Sequence, residues 1–234
     1  MSGRTAIVVA CESELSPLKA GMTNVTSRTL GGKEFFCGQL EGCDVVLVQC
    51  GVGRTNAAAT TAVACAEFKP QRVINSGSAG GLATGLKIGD VVVSDRLVYG
   101  DVDNRCFGLK YGQVPDDLEE FHPSQDLLAA FHSICEKQLE EHGIRVHQGL
   151  IVTVESFCES EVVKKNFFNY WPEAKAVEME GCAVAHVCQQ FKVPAIVVRS
   201  ISDTAEDHID YHTFAKLAGE RSAQVTRAFL KTLI

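Results

Sequence analysis

Four short runs of apolar, mostly β-branched residues recur along the chain with helix-like stretches between them: Thr5–Ala10, Arg72–Ser76, His147–Thr153 and Val193–Ile201. Runs of this length and composition are strand material, and the intervening segments carry helical spacing. Glu12-Ser-Glu-Leu-Ser-Pro-Leu-Lys reads as a loop entering a helix with Pro17 near its first turn. Gly51-Val-Gly-Arg opens an Ala-rich helical stretch to Phe68. Leu127, Leu128, Phe131, Ile134 and Leu139 keep helical spacing across Ser124–His142. Further helices are predicted over Glu159–Tyr170 and Tyr211–Leu233, the second amphipathic. Lys33–Leu40 and Cys43–Cys50 flank the turn signal Glu41-Gly42 and predict an antiparallel pair. This alternation predicts an α/β chain, a single domain over 1–234, with a mixed central β-sheet and helices on both sides.

Charge and hydropathy narrow the partners. A net charge of −7 over 234 residues argues against a general nucleic-acid binder, which would show a basic face. No apolar run approaches the ~20 residues of a membrane span. The first ten residues lack a signal-peptide cleavage pattern and read as the first strand. Ten cysteines occur without a C-x-x-C pair, many inside apolar runs, so free thiols in a reducing cytoplasm are expected. Cys182, His186 and Cys188, or His208 and His212, lack a complementary ligand pair at zinc spacing, and no metal site is expected.

Three segments carry chemistry. Ala176-Val-Glu-Met-Glu-Gly sets Glu178, Met179 and Glu180 side by side in an apolar stretch. Buried carboxylates carry a large desolvation penalty unless paired, so the trio suits a pocket. Met offers a soft surface for a ribose face, and a carboxylate accepts from vicinal hydroxyls. Asn75-Ser-Gly-Ser-Ala-Gly-Gly81 follows a strand, and reads either as a ligand-approach loop offering Ser78 or as a plain turn. Val197-Val-Arg-Ser-Ile-Ser-Asp203 puts Asp203 at the C-terminal end of a buried strand, the edge where α/β sheets bind ligands. Ser202 can hydrogen-bond that carboxylate and Arg199 is near enough to bias its charge; the other reading of Asp203 is a helix N-cap. Glu12 and Glu14 would reach the same edge if the first strand is parallel to that of Arg199.

These segments, with Ala10-Cys-Glu-Ser-Glu and Gly149-Leu-Ile-Val, together resemble 5′-methylthioadenosine/S-adenosylhomocysteine nucleosidases of the nucleoside phosphorylase superfamily. The resemblance runs through essentially the whole chain in order. It implies hydrolysis of the N-glycosidic bond of a 5′-modified adenosine, without metal or organic cofactor, by a homodimer. By motif, Glu14 matches the base that activates water and Asp203 the acid that protonates adenine N7. Glu180 matches the holder of the ribose hydroxyls, with Met179 under the sugar and Glu178 beside it. Ser78 and Arg199 match residues around the water and its carboxylates, and Ser202 the residue orienting the acid. Phe157 matches the aromatic that stacks on adenine, with Cys158 beside it. Phe107 and Pro115 match a loop that closes the partner's 5′-thio pocket. The chain departs from the usual pattern at Glu12-Ser13-Glu14, where the family's bacterial members usually have a run of acidic residues, and at Gly100, Leu109 and Cys158, departures that bear on the breadth of 5′-substituents.

Two other functions fit the same fold. A purine nucleoside phosphorylase would need a cationic, amide-lined phosphate cradle. Here Asn75 stands near the place of the phosphorylases' Arg, and Cys11-Glu-Ser-Glu14 replaces their glycine-rich turn. A non-enzymatic nucleoside-binding protein would be expected to lack the acid or the base, and this chain has both.

Overall fold

The apolar runs form strands, and their alternation decides the layering. The structure is a computed structural model that describes residues 3–158, 167–204 and 211–234. The strands are β1 (Thr5–Val9), β2 (Thr23–Leu30), β3 (Lys33–Leu40), β4 (Cys43–Gln49), β5 (Arg72–Gly81), β6 (Val91–Tyr99), β7 (Val146–Thr153), β8 (Ala176–Glu178) and β9 (Ala195–Thr204). The helices are α1 (Glu12–Lys19), α2 (Arg54–Phe68), α3 (Gln125–Ala130), α4 (Glu136–Glu141), α5 (Gly181–Phe191) and α6 (Tyr211–Leu230).

Successive residues of a strand face opposite sides, so a strand buried on both faces must be apolar throughout. β1 is such a strand. Ile7 and Val9 join one core with Leu18, Val93, Phe131, Ile196 and Phe229, under α1, α3 and α6. Ala6 and Val8 join another with Val46, Ala57, Ala64, Val184 and Cys188, under α2 and α5. Helices therefore cover both faces of a mixed sheet.

β4 and β5 flank β1 in parallel, and β3 runs antiparallel to both β2 and β4. Beyond β5 the sheet curls. The strand order ends β5-β8-β7-β6-β9, and β9 returns to pair with β5 in parallel, so five strands close on themselves. Val73–Ala79 of β5 pair with Ala195–Ile201 of β9, while Gly80 and Gly81 also meet Val177 and Ala176 of β8.

Four details differ from the pattern read in the sequence. The glycine-rich segment after Ser76 is not a turn: β5 runs on to Gly81, because β8 and β9 both supply it with partners. Pro17 lies inside α1 rather than in its first turn, since Cys11 is the N-cap and the Glu14 side chain folds back onto the Ala10 and Cys11 amides. The polar edge strand β2 and the three-residue β8 have too little apolar alternation to be legible. The Ser124–His142 helix is interrupted by a π turn at Phe131–Cys135. The predicted Glu159–Tyr170 helix lies largely outside the described residues.

Candidate active site

The C-terminal ends of β1, β5 and β9 meet at one cavity of about 400 Å³. Glu14, Ser78, Phe157, Cys158, Glu178, Met179, Glu180, Ser202 and Asp203 line it. Segments up to 189 positions apart in sequence (Glu14 to Asp203) are thus brought to one wall. Val52, Val154 and Ser156 also line it without having been singled out by sequence; their only signal was adjacency to Gly51, Thr153 and Phe157.

Glu14 is buried in the first turn of α1, just beyond β1. Its Oε2 accepts from the Ala10 amide (2.8 Å) and the Cys11 amide (3.3 Å). Its Oε1 accepts from the Ser78 amide (2.9 Å) and hydroxyl (3.2 Å). Four donors fix the carboxylate against the β5 backbone, beside Gly77. A Cβ on Gly77 would lie 2.3 Å from Arg199 Nη1 and 2.8 Å from Glu14 Oε1, so only glycine lets both groups approach. Glu12 points away from the cavity to Ser16 and is exposed.

Asp203 belongs to β9, not to a helix cap; its Oδ1 accepts from Ser202 Oγ at 2.8 Å, and Ser202 Oγ also lies 3.2 Å from the Ala79 carbonyl. Gly80 is its register partner on β5. Glu14 is held at Ser78, and Asp203 sits against Gly80, two residues further along β5.

The fully buried guanidinium of Arg199, four residues before Asp203, binds Glu178, Asn75 Oδ1 at 2.6 Å and Glu180 Oε2 at 3.5 Å. Glu178 in turn accepts from Thr153 Oγ1 and from the amides of Glu180 (2.8 Å) and Gly181 (2.7 Å). With every oxygen engaged, Glu178 forms the wall's frame. Glu180, at the N-terminus of α5, accepts from the Gly53 amide at 2.8 Å. Burial pushes its carboxyl up to about 7, against the pull of Arg199 and with the repulsion of Glu178. Burial likewise pushes the Cys50 thiol up to about 12 and raises Cys11, where Glu14 adds to the rise. These thiols beside the site are protonated, packed groups rather than nucleophiles.

Phe157 is half exposed (51%) at the cavity rim. Phe107 is 76% exposed on the turn Arg105–Phe107, and neither it nor Pro115 lines this chain's cavity. Among the described residues, no group of three or more His, Cys, Asp or Glu could hold a metal ion. The described lining holds four carboxyl groups and no Lys or Arg.

The phosphorylase superfamily model matches residues 4–231. A 5′-methylthioadenosine/S-adenosylhomocysteine nucleosidase of Listeria monocytogenes is 40% identical over 229 residues, 97% of this chain and 98% of the relative. The crystal structure of the nucleosidase of that name from Neisseria meningitidis, in complex with methylthio-immucillin-A, superimposes with a TM-score of 0.93 at 36% identity, covering 98% of this chain and 99% of the other. The corresponding Colwellia psychrerythraea protein, in complex with adenine, gives a TM-score of 0.93 at 38% identity, covering 100% of this chain and 96% of the other.

Proposed function

Because the chain belongs to the phosphorylase superfamily and, within it, to the 5′-methylthioadenosine/S-adenosylhomocysteine nucleosidases, we propose that it hydrolyses the N-glycosidic bond of these two nucleosides. Adenine and the 5-thioribose product leave, a step of methionine salvage. The observation that carries this reading is the pair of carboxyl groups, Glu14 at Ser78 and Asp203 at Gly80, on one cavity whose described lining holds no Lys or Arg.

Cleavage through an oxocarbenium-like ribosyl centre needs a proton on the departing base and a water at C1′. Asp203, oriented by Ser202, donates to adenine N7. Glu14, held by four donors, takes the proton of a water that adds to C1′. Glu180 accepts from the ribose hydroxyls, Met179 packs under the sugar and Phe157 stacks on adenine, with Cys158 adjacent. Arg199 and Glu178 hold this wall in place from behind. The Glu14 carboxylate, in a described lining without Lys or Arg, opposes a phosphate nucleophile, which favours hydrolysis over phosphorolysis.

Adenine release from methylthioadenosine should be independent of phosphate, with methylthioribose as co-product. Methylthioribose 1-phosphate as main product in phosphate buffer would overturn the assignment.

The raised carboxyl of Glu180 gives a pH signature. In the unliganded protein it is protonated up to about 7, above its unfolded range. The native state therefore binds the extra proton, and stability falls as pH rises through that window. Once ionised, Glu180 accepts better from the sugar hydroxyls. The KM for methylthioadenosine should fall about three- to tenfold from about pH 6 to about pH 8, and Glu180→Gln should flatten the change. A KM slope that survives in Glu180→Gln would assign it to another group.

Phe107 and Pro115, which do not line their own cavity, fit a homodimer in which each copy closes its partner's 5′-thio pocket. Light scattering at the mass of one chain would exclude this arrangement. We place the enzyme in the cytoplasm, in keeping with its free thiols. No helix among the described residues is long and apolar enough to cross a membrane.

A further inference from the structure

The start of α2 is a junction between the two ends of the cavity. Gly53, at φ 96°, gives its amide to Glu180 at the sugar end. The next residue turns the other way. The Arg54 amide and Nε both donate to Glu155 Oε2, at 3.1 and 2.8 Å. Its two terminal nitrogens fork onto the carboxylate of Asp101, at 2.7 and 3.1 Å. Asp101 Oδ2 then accepts the Glu155 amide at 2.9 Å, closing the triad. The guanidinium also lies 5.5 Å from the ring centroid of Tyr99, a cation–π distance. Glu155 immediately precedes Ser156, Phe157 and Cys158 of the cavity wall. A Cβ at Gly53 would come within 2.6 Å of Glu155 Oε1, so the glycine admits this carboxylate as well as adopting the positive φ.

Isolated surface ion pairs contribute little, but a bidentate fork combined with a backbone amide fixes geometry as well as charge. Arg54 and Gly53 are consecutive, so the segment after Glu155 is tied to the residue that holds Glu180.

We propose that Arg54 is a positioning residue: it clamps the Phe157 segment at a set distance from the Glu180 end of the cavity, and so governs affinity for the adenine ring. The proposal rests on the reading of Phe157 as the adenine face. Without the clamp, the half-exposed ring and its backbone must be ordered by the ligand, which weakens binding. The chemistry at Asp203 and Glu14 is untouched, so the loss falls on KM rather than kcat.

The test uses the full chain carrying Arg54→Met, Asp101→Asn or both, with Arg54→Lys as the milder variant. Steady-state kinetics on methylthioadenosine and calorimetric titration with adenine are measured beside Tm. Arg54→Met should raise both KM and the adenine Kd about tenfold while kcat stays within about threefold. The double variant should be no worse than the poorer single one, because both act through one triad. Arg54→Lys keeps the charge but loses the fork and should show a rise of about threefold. An unchanged adenine Kd in soluble Arg54→Lys or Arg54→Met, or a loss confined to kcat, overturns the clamp. A lowered Tm with unaltered adenine Kd likewise overturns it, leaving Arg54 a structural residue only. Failure of the wild-type chain to release adenine would instead refute the nucleosidase reading, and the adenine titration would still decide the clamp.

Discussion

Asp203→Asn and Glu14→Gln should each lower kcat for methylthioadenosine by about 10²–10⁴-fold, the range for loss of a general acid or base, and they should fail in different ways. Asparagine at 203 preserves shape and can still pair with Ser202, but it has no proton for N7. Glutamine at 14 leaves the departing base activated, yet its amide cannot take a proton from water, and its NH₂ faces donors from Ala10, Cys11 and Ser78. A substrate whose leaving group needs no N7 proton, such as a p-nitrophenyl riboside, should partly rescue Asp203→Asn and leave Glu14→Gln inactive. Equal rescue of both, or of neither, would mean that the two roles are wrongly assigned.

Arg199→Met should produce the largest change in stability. The guanidinium is fully buried and meets Glu178, Glu180 and Asn75 at once. Removing it leaves carboxyl groups in the interior without their cation, a loss of about 3–5 kcal/mol for a broken buried pair. For a chain of this length that is roughly a 10 °C drop in Tm. Replacing the partner too, as Arg199→Met with Glu178→Gln, should recover part of it, because the uncompensated charge is then gone. A Tm within about 2 °C of wild type for the single variant would show that the interior absorbs the unpaired carboxyl without strain.

What the sequence made legible followed local physics. β1 is a nearly continuous apolar run and β9 opens on one, and Lys33–Leu40 with Cys43–Gln49 form the antiparallel pair that the Glu41-Gly42 turn predicts. Glu14, Ser78, the Glu178–Glu180 trio and Asp203 do meet at one cavity. Local pattern does not report partners distant in the chain, and the misreadings fall there. Gly77–Gly81 looks like a turn until β8 and β9 arrive to pair with it. Arg199 is four residues from Asp203 in sequence, but Glu178 and Asn75 take its guanidinium. Arg54 is unremarkable in sequence; only the fold carries Asp101 and Glu155 to it.

The ring of β5, β8, β7, β6 and β9 also dictates when, during synthesis, a chain acquires its site. Among the described residues β9 is the last strand made, and it is the one that joins β5 to β6. A nascent chain halted before Ala195 already has Glu14, Ser78 and Glu180, yet it lacks Arg199 and Asp203. Its β5 and β6 then expose unpaired edges, the kind that recruit foreign strands. Pairings that span more than a hundred residues, such as Val91 with Ser200, close slowly after the local hairpins and helices. Ring closure and the arrival of the acid are therefore one event, so a ribosome-bound fragment short of β9 should be both inactive and prone to aggregate.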